Sequence, residues 1–185
     1  MKLKTVIVLG ILFGVGWVSL HADDRLSLAG KWRFALDPTD TGINSGWAER
    51  TLTDTIALPN STSTAGKGQP WPLEPKLDET SLDHLHQRFS YVGAAWYQRD
   101  FNLPKDWQGK DVLLSLERVL WDSTVWLNGQ RVGETDSLCT PHRYDLTPDL
   151  QPGRNLLAIR VDNRKKYEIG IGTAYTDETQ TIWIA

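Results

Sequence analysis

The chain has 185 residues, enough for one domain with a sizeable core and too few for such a domain plus a catalytic barrel of about 250 residues. Its formal charge is −3, with 20 Lys and Arg against 23 Asp and Glu, and no basic stripe runs through it. That balance argues against nucleic acid and against anionic membrane surfaces, both of which demand clustered cations.

Residues 1–22 carry Lys2 and Lys4, an apolar run over 6–18, and small Ala22 ahead of Asp23 and Asp24. This is the architecture of a secretory signal. The apolar run is shorter than the roughly 20 residues a spanning helix needs. The expectation is a signal peptide over 1–22 and a mature domain over 23–185, secreted or periplasmic and free of the membrane after cleavage. Loss of the two lysines takes the formal charge from −3 to −5. Cys139 is the only cysteine, so no intrachain disulfide can form and packing must supply the stability; its thiol is read as inert.

Beyond the leader, short runs of Val, Ile, Leu, Trp, Tyr and Phe alternate with Gly, Pro, Asn and Asp, and helical periodicity is scarce. Over 28–36, Trp32 and Phe34 fall on one face and Lys31 and Arg33 on the other, the period-2 pattern of a half-buried strand that Asp37-Pro38 ends. A second run, 52–58, stops at Pro59. Residues 60–90, rich in Ser, Thr, Gly and Pro, read as a long loop with room for a short helix. Loops of that length are functional or disordered, so the stretch is either a ligand-side insertion or a mobile surface excursion. It holds His84 and His86, but no third ligand stands near, so neither a metal site nor a cofactor is expected.

Strand signals then become dense over 95–101, 112–116 and 123–127. Asn128-Gly129 supplies the two positive-φ residues of a type I′ turn, pairing 123–127 with 130–133. Residues 145–148 read as a strand end and turn, 151–154 as a turn with Gly153 at the permissive position, and 155–161 as another strand. Strands at this spacing without intervening helices indicate an all-β fold, an antiparallel jelly-roll β-sandwich.

No Gly-x-Ser-x-Gly elbow, phosphate-binding Gly-rich loop or Cys/His metal spacing occurs. Carboxylates such as Asp54, Asp106 and Asp111 sit beside turns or on polar strand faces, where solvation explains them. No residue is assigned a catalytic role. The unusual feature is nine tryptophans, whose flat faces can either pack a core or stack on a pyranose. Trp32, Trp96 and Trp126 fall inside strand patterns and read as core. Trp71 and Trp183 lie in or beside loops, and ligand contact and packing both stand open for them.

Trp96-Tyr97, Arg99, Phe101 and Pro104 match a W-Y-x-R-x-F-x-x-P strand, and residues 125–133 match a V-W-x-N-G-x-x-V-G hairpin. Asp145 and Thr147, then 153–163, follow a D-x-T…G-x-N-x-L-x-V-x-V-D-N ending, and Gly30 to Phe34 fits the opening strand. Together these residues resemble the N-terminal sugar-binding domain of family 2 glycoside hydrolases, in the β-galactosidase-like branch, over about 28–184. The resemblance implies a galactose-binding-domain-like jelly roll that lends loops to an active-site rim. It also implies that the two catalytic glutamates belong to a later (β/α)8 barrel, so this stretch alone is expected to be inactive, with that barrel as its partner if the gene continues.

By the same resemblance, Asp177, Glu178 or Gln180 would hydrogen-bond sugar hydroxyls, with Trp183 beside them and Trp71 on the 60–90 insertion. The ligand implied is a carbohydrate, galactoside- or glucuronide-like. A role as surface loop residues is the alternative. After Ile182-Trp183 the sequence departs from the family pattern at Ile184-Ala185, so the last strand reads as cut short. A free-standing carbohydrate-binding module and a partner-binding sandwich without ligand are the competing functions.

Overall fold

The alternating run at the front of the chain forms strand β1 (Gly30–Asp37), and the short run before Pro59 forms β2 (Asp54–Leu58). In a computed structural model, residues 25–70 and 88–164 are described, together with the backbone of Trp183 and Ile184. Two short strands, β3 (Asn60–Ser61) and β4 (Gln69–Pro70), and β5 (Phe89–Ser90) occupy the described parts of the expected long loop. No helix occurs in those parts, where room for a short one was expected. The remaining strands are β6 (Ala94–Asn102), β7 (Leu113–Leu116), β8 (Asp122–Leu127), β9 (Gln130–Thr135), β10 (His142–Asp145), β11 (Arg154–Asp162) and β12 (Trp183–Ile184). Among the described residues only two single-turn 3-10 helices interrupt them, Lys105–Trp107 and Thr147–Asp149.

Six strands form one sheet in the order β2-β1-β6-β11-β8-β9, and every strand pairing within it is antiparallel among the described residues. β7 pairs with β10, β3 with β12 and β4 with β5. One face of the large sheet presents Trp32, Phe34, Ile56, Tyr97, Val125, Leu127, Leu157, Ile159 and Val161, packed with Leu114 and Leu116 of β7 and Tyr144 of β10. This is the interior of the antiparallel sandwich. Burying side chains of this size contributes about 1.5–3 kcal/mol each.

The opposite face is not left to water. Trp96, Trp126 and Ala158 point that way and are covered by Leu52 together with Trp47 and Ala48, from the segment between β1 and β2. Trp96 and Trp126 stack with centroids 4.9 Å apart, and Trp47 meets Trp96 edge-on at 6.2 Å. Trp32, Trp96 and Trp126 are therefore core residues, as their strand positions predict. Gln98, fully buried, pins this cover: its Nε2 donates to the carbonyls of Trp47 and Arg50, and its Oε1 accepts the Leu52 amide.

The Asn128-Gly129 turn joins β8 to β9 with φ of 51° and 82°, as a type I′ turn requires. β9 extends two residues beyond the expected end. A bulge between Val125 and Trp126 sets Val125 opposite Gly133 but Trp126 opposite Arg131.

Candidate functional site

Two places in the described structure gather polar groups that the strand pattern alone does not explain. The first is the sheet end where β1 finishes, β6 and β8 start and β11 finishes, with Asp37 opposite Ala94, Ala94 opposite Asp162, and Asp162 opposite Asp122.

Asp37 is 1% exposed. Its carboxylate accepts the amides of Thr41 and Gly42 at 2.9 and 2.8 Å and the Trp96 indole N–H at 3.1 Å. A Cβ at residue 42 would lie 2.4 Å from Trp96 Nε1, so only glycine lets the chain come this close. Beside it, the Tyr91 hydroxyl accepts the Asp37 amide and donates to the Ala94 carbonyl at 2.6 Å. Burial pushes the Tyr91 phenol up to about 12, so it remains a neutral donor. Asn163 bridges the same strands, donating to the Tyr91 carbonyl and accepting the Gly93 amide.

Next to this network, Arg160 and Arg164 each contact both Asp40 and Asp162. Burial raises the carboxyls of Asp40 and Asp162, but hydrogen bonds from Arg164, with the charge of Arg160, outweigh it and hold both below the usual carboxylate range. This four-residue cluster fixes the backbone just before residue 165. Trp121, 3% exposed, donates its backbone amide to the Asp162 carbonyl, and its buried indole N–H has no acceptor.

The second place is the turn over 61–68. Ser61, Thr62 and Ser63 are all buried. Ser61 Oγ bonds Thr64, while Ser63 Oγ accepts the amides of Arg88 and Phe89 at 3.1 and 3.3 Å. Trp183 pairs with Ser61 across the β3–β12 ladder, and Pro70 pairs with Phe89. Residues 60–70 thus hold the backbone on either side of 71–87 and the strand that contains Trp183.

Of the sequence-predicted contacts, Trp71, Asp177, Glu178 and Gln180 lie outside the described residues, as do His84 and His86. Trp183 is located by its backbone pairing only. Asp54 corrects the sequence reading: its carboxylate is held by the Lys67 ammonium at 2.6 Å rather than by solvent alone, and Lys67 also lies over the Phe34 ring. Asp37, Tyr91, Trp121, Asn163 and the Asp40–Arg164 cluster were missed; the Asp162-Asn163 pair closing an apolar run was the available signal.

Ser123 and His142 supply the residue types of a nucleophilic pair, with Oγ and Nδ1 2.6 Å apart. Both are fully buried, and Tyr144 completes the network inside the sandwich. A nucleophile must meet its substrate, so this trio serves the core. Among the described residues no cluster of His, Cys, Asp and Glu could hold a metal ion.

The family model for "Glycosyl hydrolases family 2, sugar binding domain" matches residues 26–184. The chain belongs to this family. The family 2 domain is 31% identical over 137 residues to a β-glucuronidase of Paenibacillus borealis, covering 74% of this chain and 20% of that protein. It is 30% identical over 166 residues to the β-galactosidase large subunit of Lactobacillus helveticus, covering 78% of this chain and 26% of that protein. The β-glucuronidase of Ruminococcus gnavus in complex with D-glucuronic acid matches with a TM-score of 0.57 at 25% identity, over 75% of this chain and 22% of that one. The chain spans from less than a tenth to about a quarter of the length of the curated relatives it matches.

Proposed function

We infer that this family 2 domain binds carbohydrate, galactoside- or glucuronide-like, and works without catalytic residues of its own beside a (β/α)8 partner that carries the chemistry. Asp177, Glu178 and Gln180 are its hydrogen-bonding groups for sugar hydroxyls, and Trp183 and Trp71 its stacking faces. Residues 1–22 direct its export.

One observation carries the site reading: residues 60–70 tie down both sequence regions that hold these five residues. Ser61 pairs with Trp183, Pro70 immediately precedes Trp71, and Ser63 grips the amides just after 71–87. Binding groups are effective when a rigid scaffold holds their loops, because less ordering entropy is lost on binding. The relatives' activities, β-glucuronidase and β-galactosidase, support the ligand class.

Calorimetric titration of the chain with galactosides and glucuronides tests the reading. Saturable heat is expected at millimolar sugar, weakened about tenfold by Trp183→Ala or Asp177→Ala, in line with an unpaired sugar hydroxyl costing about 1–3 kcal/mol. No heat and no change in tryptophan fluorescence would refute it. Release of nitrophenol from aryl glycosides by the chain, free of host enzyme, would refute the non-catalytic part.

A further inference from the structure

The segment between β1 and β2 covers only part of the outer face of the large sheet, and where that cover stops a shallow, open groove of about 310 Å³ remains. Gln98 marks the boundary, since its amide is spent on Trp47, Arg50 and Leu52 of the cover. Beyond it, Thr55, Arg33 and Gln98 are successive cross-strand partners, with Lys31 and Asp100 in the next row. Alternation along β1, β6 and β11 puts Lys31, Arg33, Asp100 and Arg154 on this same face.

The charges here are out of balance. Asp100 is the single carboxylate of the groove among the described residues, and its two oxygens are already taken by Arg33 at 2.8 Å and Arg154 at 2.9 Å. Lys31 is exposed and makes no ion pair or hydrogen bond. Arg33 has a buried Nε without an acceptor. Lys31, Arg33 and Arg99 line the groove, the last with its guanidinium on the Leu28 and Ala29 carbonyls, and Arg154 reaches Asp100 from beside it, so cations outnumber the anion here on a chain whose overall charge is −3. A donor left without an acceptor and a cation without a counter-charge both favour an entering oxyanion. The volume lies at the lower limit of small-ligand sites, the size of one sugar unit rather than of a protein surface.

We propose that this groove is a second saccharide site, specific for a sugar unit bearing an oxyanion, a carboxylate or a sulfate, with Lys31 and Arg33 holding the charge and Thr55 a hydroxyl. It is separate in residues from the site inferred above. It would select acidic over neutral polysaccharide without taking part in bond cleavage.

The test is a titration of the chain, at fixed ionic strength, with glucuronate, galactose 6-sulfate, neutral galactose and inorganic sulfate. The readouts are the NMR signals of the Lys31 and Thr55 amides and of the Arg33 Nε–H. Glucuronate or galactose 6-sulfate, whichever carries the preferred oxyanion, is expected to shift all three saturably. Lys31→Glu, at an exposed and unpaired position that folding does not need, is expected to weaken that sugar about tenfold or more. No saturable shift, equal response to galactose, or inorganic sulfate binding as tightly as either acidic sugar would overturn the proposal. Because the signals come from Lys31, Arg33 and Thr55, failure here leaves the Trp183 and Asp177 results standing, and the reverse.

Discussion

At residue 37 a carboxylate sits where a strand ends, in a sequence context that reads as a simple stop. Its three donors come from residues 41, 42 and 96, and the last is 59 positions away in sequence. Local pattern shows that Asp37-Pro38 ends a strand, and nothing local shows that Trp96 will arrive beside it. Asp40 and Asp162 are joined in the same non-local way, through Arg160 and Arg164. Their titration carries a definite sign. Both carboxyls titrate lower in the folded chain than their ordinary value of about 3.9, so the unfolded chain binds protons first as pH falls. The pair's contribution is complete above about pH 4 and is lost as pH drops through the folded values. Urea unfolding midpoints from pH 7 to 2.5 should show this loss in the parent chain. Arg164→Gln should be less stable at pH 7 and flatter below pH 4; a parallel, equally steep decline would show that Arg164 does not hold these carboxyls down.

The strands were legible because period-2 alternation is written directly into residues 30–37, 94–102, 122–127 and 154–162, and their limits fall within about two residues of expectation. The hairpin was clearest, since its turn chemistry is local. Gly129 has φ of 82°, and a Cβ there would come within 2.2 Å of Glu49 Oε1. Asn128 locks the other side of the turn, donating to the Asp149 carbonyl and accepting the Leu156 amide. Gly129→Ala should therefore cost about 1–2 kcal/mol from the left-handed backbone, more if the Glu49 side chain cannot swing away. Gly153→Ala is the control: it shares the positive φ of 83° and has open space around it. Chemical denaturation of both variants separates backbone strain from collision, and equal losses would mean Glu49 moves freely. The bulge was not legible, nor was the cover that buries Trp96 and Trp126 on the outer face, which comes from residues whose own sequence reads as loop.

Across the whole molecule, the same logic explains why the fold is written more plainly in the sequence than the proposed sugar contacts. Core positions repeat in sequence, whereas the residues proposed to meet sugar stand singly, and no periodicity flags them. What the structure adds is how those connections are held. The chain after β11 starts at the Arg164 cluster and rejoins the described fold at β12, which forms the short ladder with β3. If that ladder closes the turn over 61–68, its removal should be felt locally. A chain ending at residue 182 is expected to keep the far-UV spectrum of the six-stranded sheet, while amide exchange at Asn60 and Ser61 rises and spreads to Arg88 and Phe89, whose amides depend on Ser63 Oγ. Trp96 and Trp126 should stay protected, since Leu52, Trp47 and Ala48 cover them from a different segment. Loss of protection throughout β6 and β11 would instead show that the two-residue ladder clamps the whole sandwich, and the 61–68 turn would then belong to the folding core rather than to a separable support for the proposed sugar contacts.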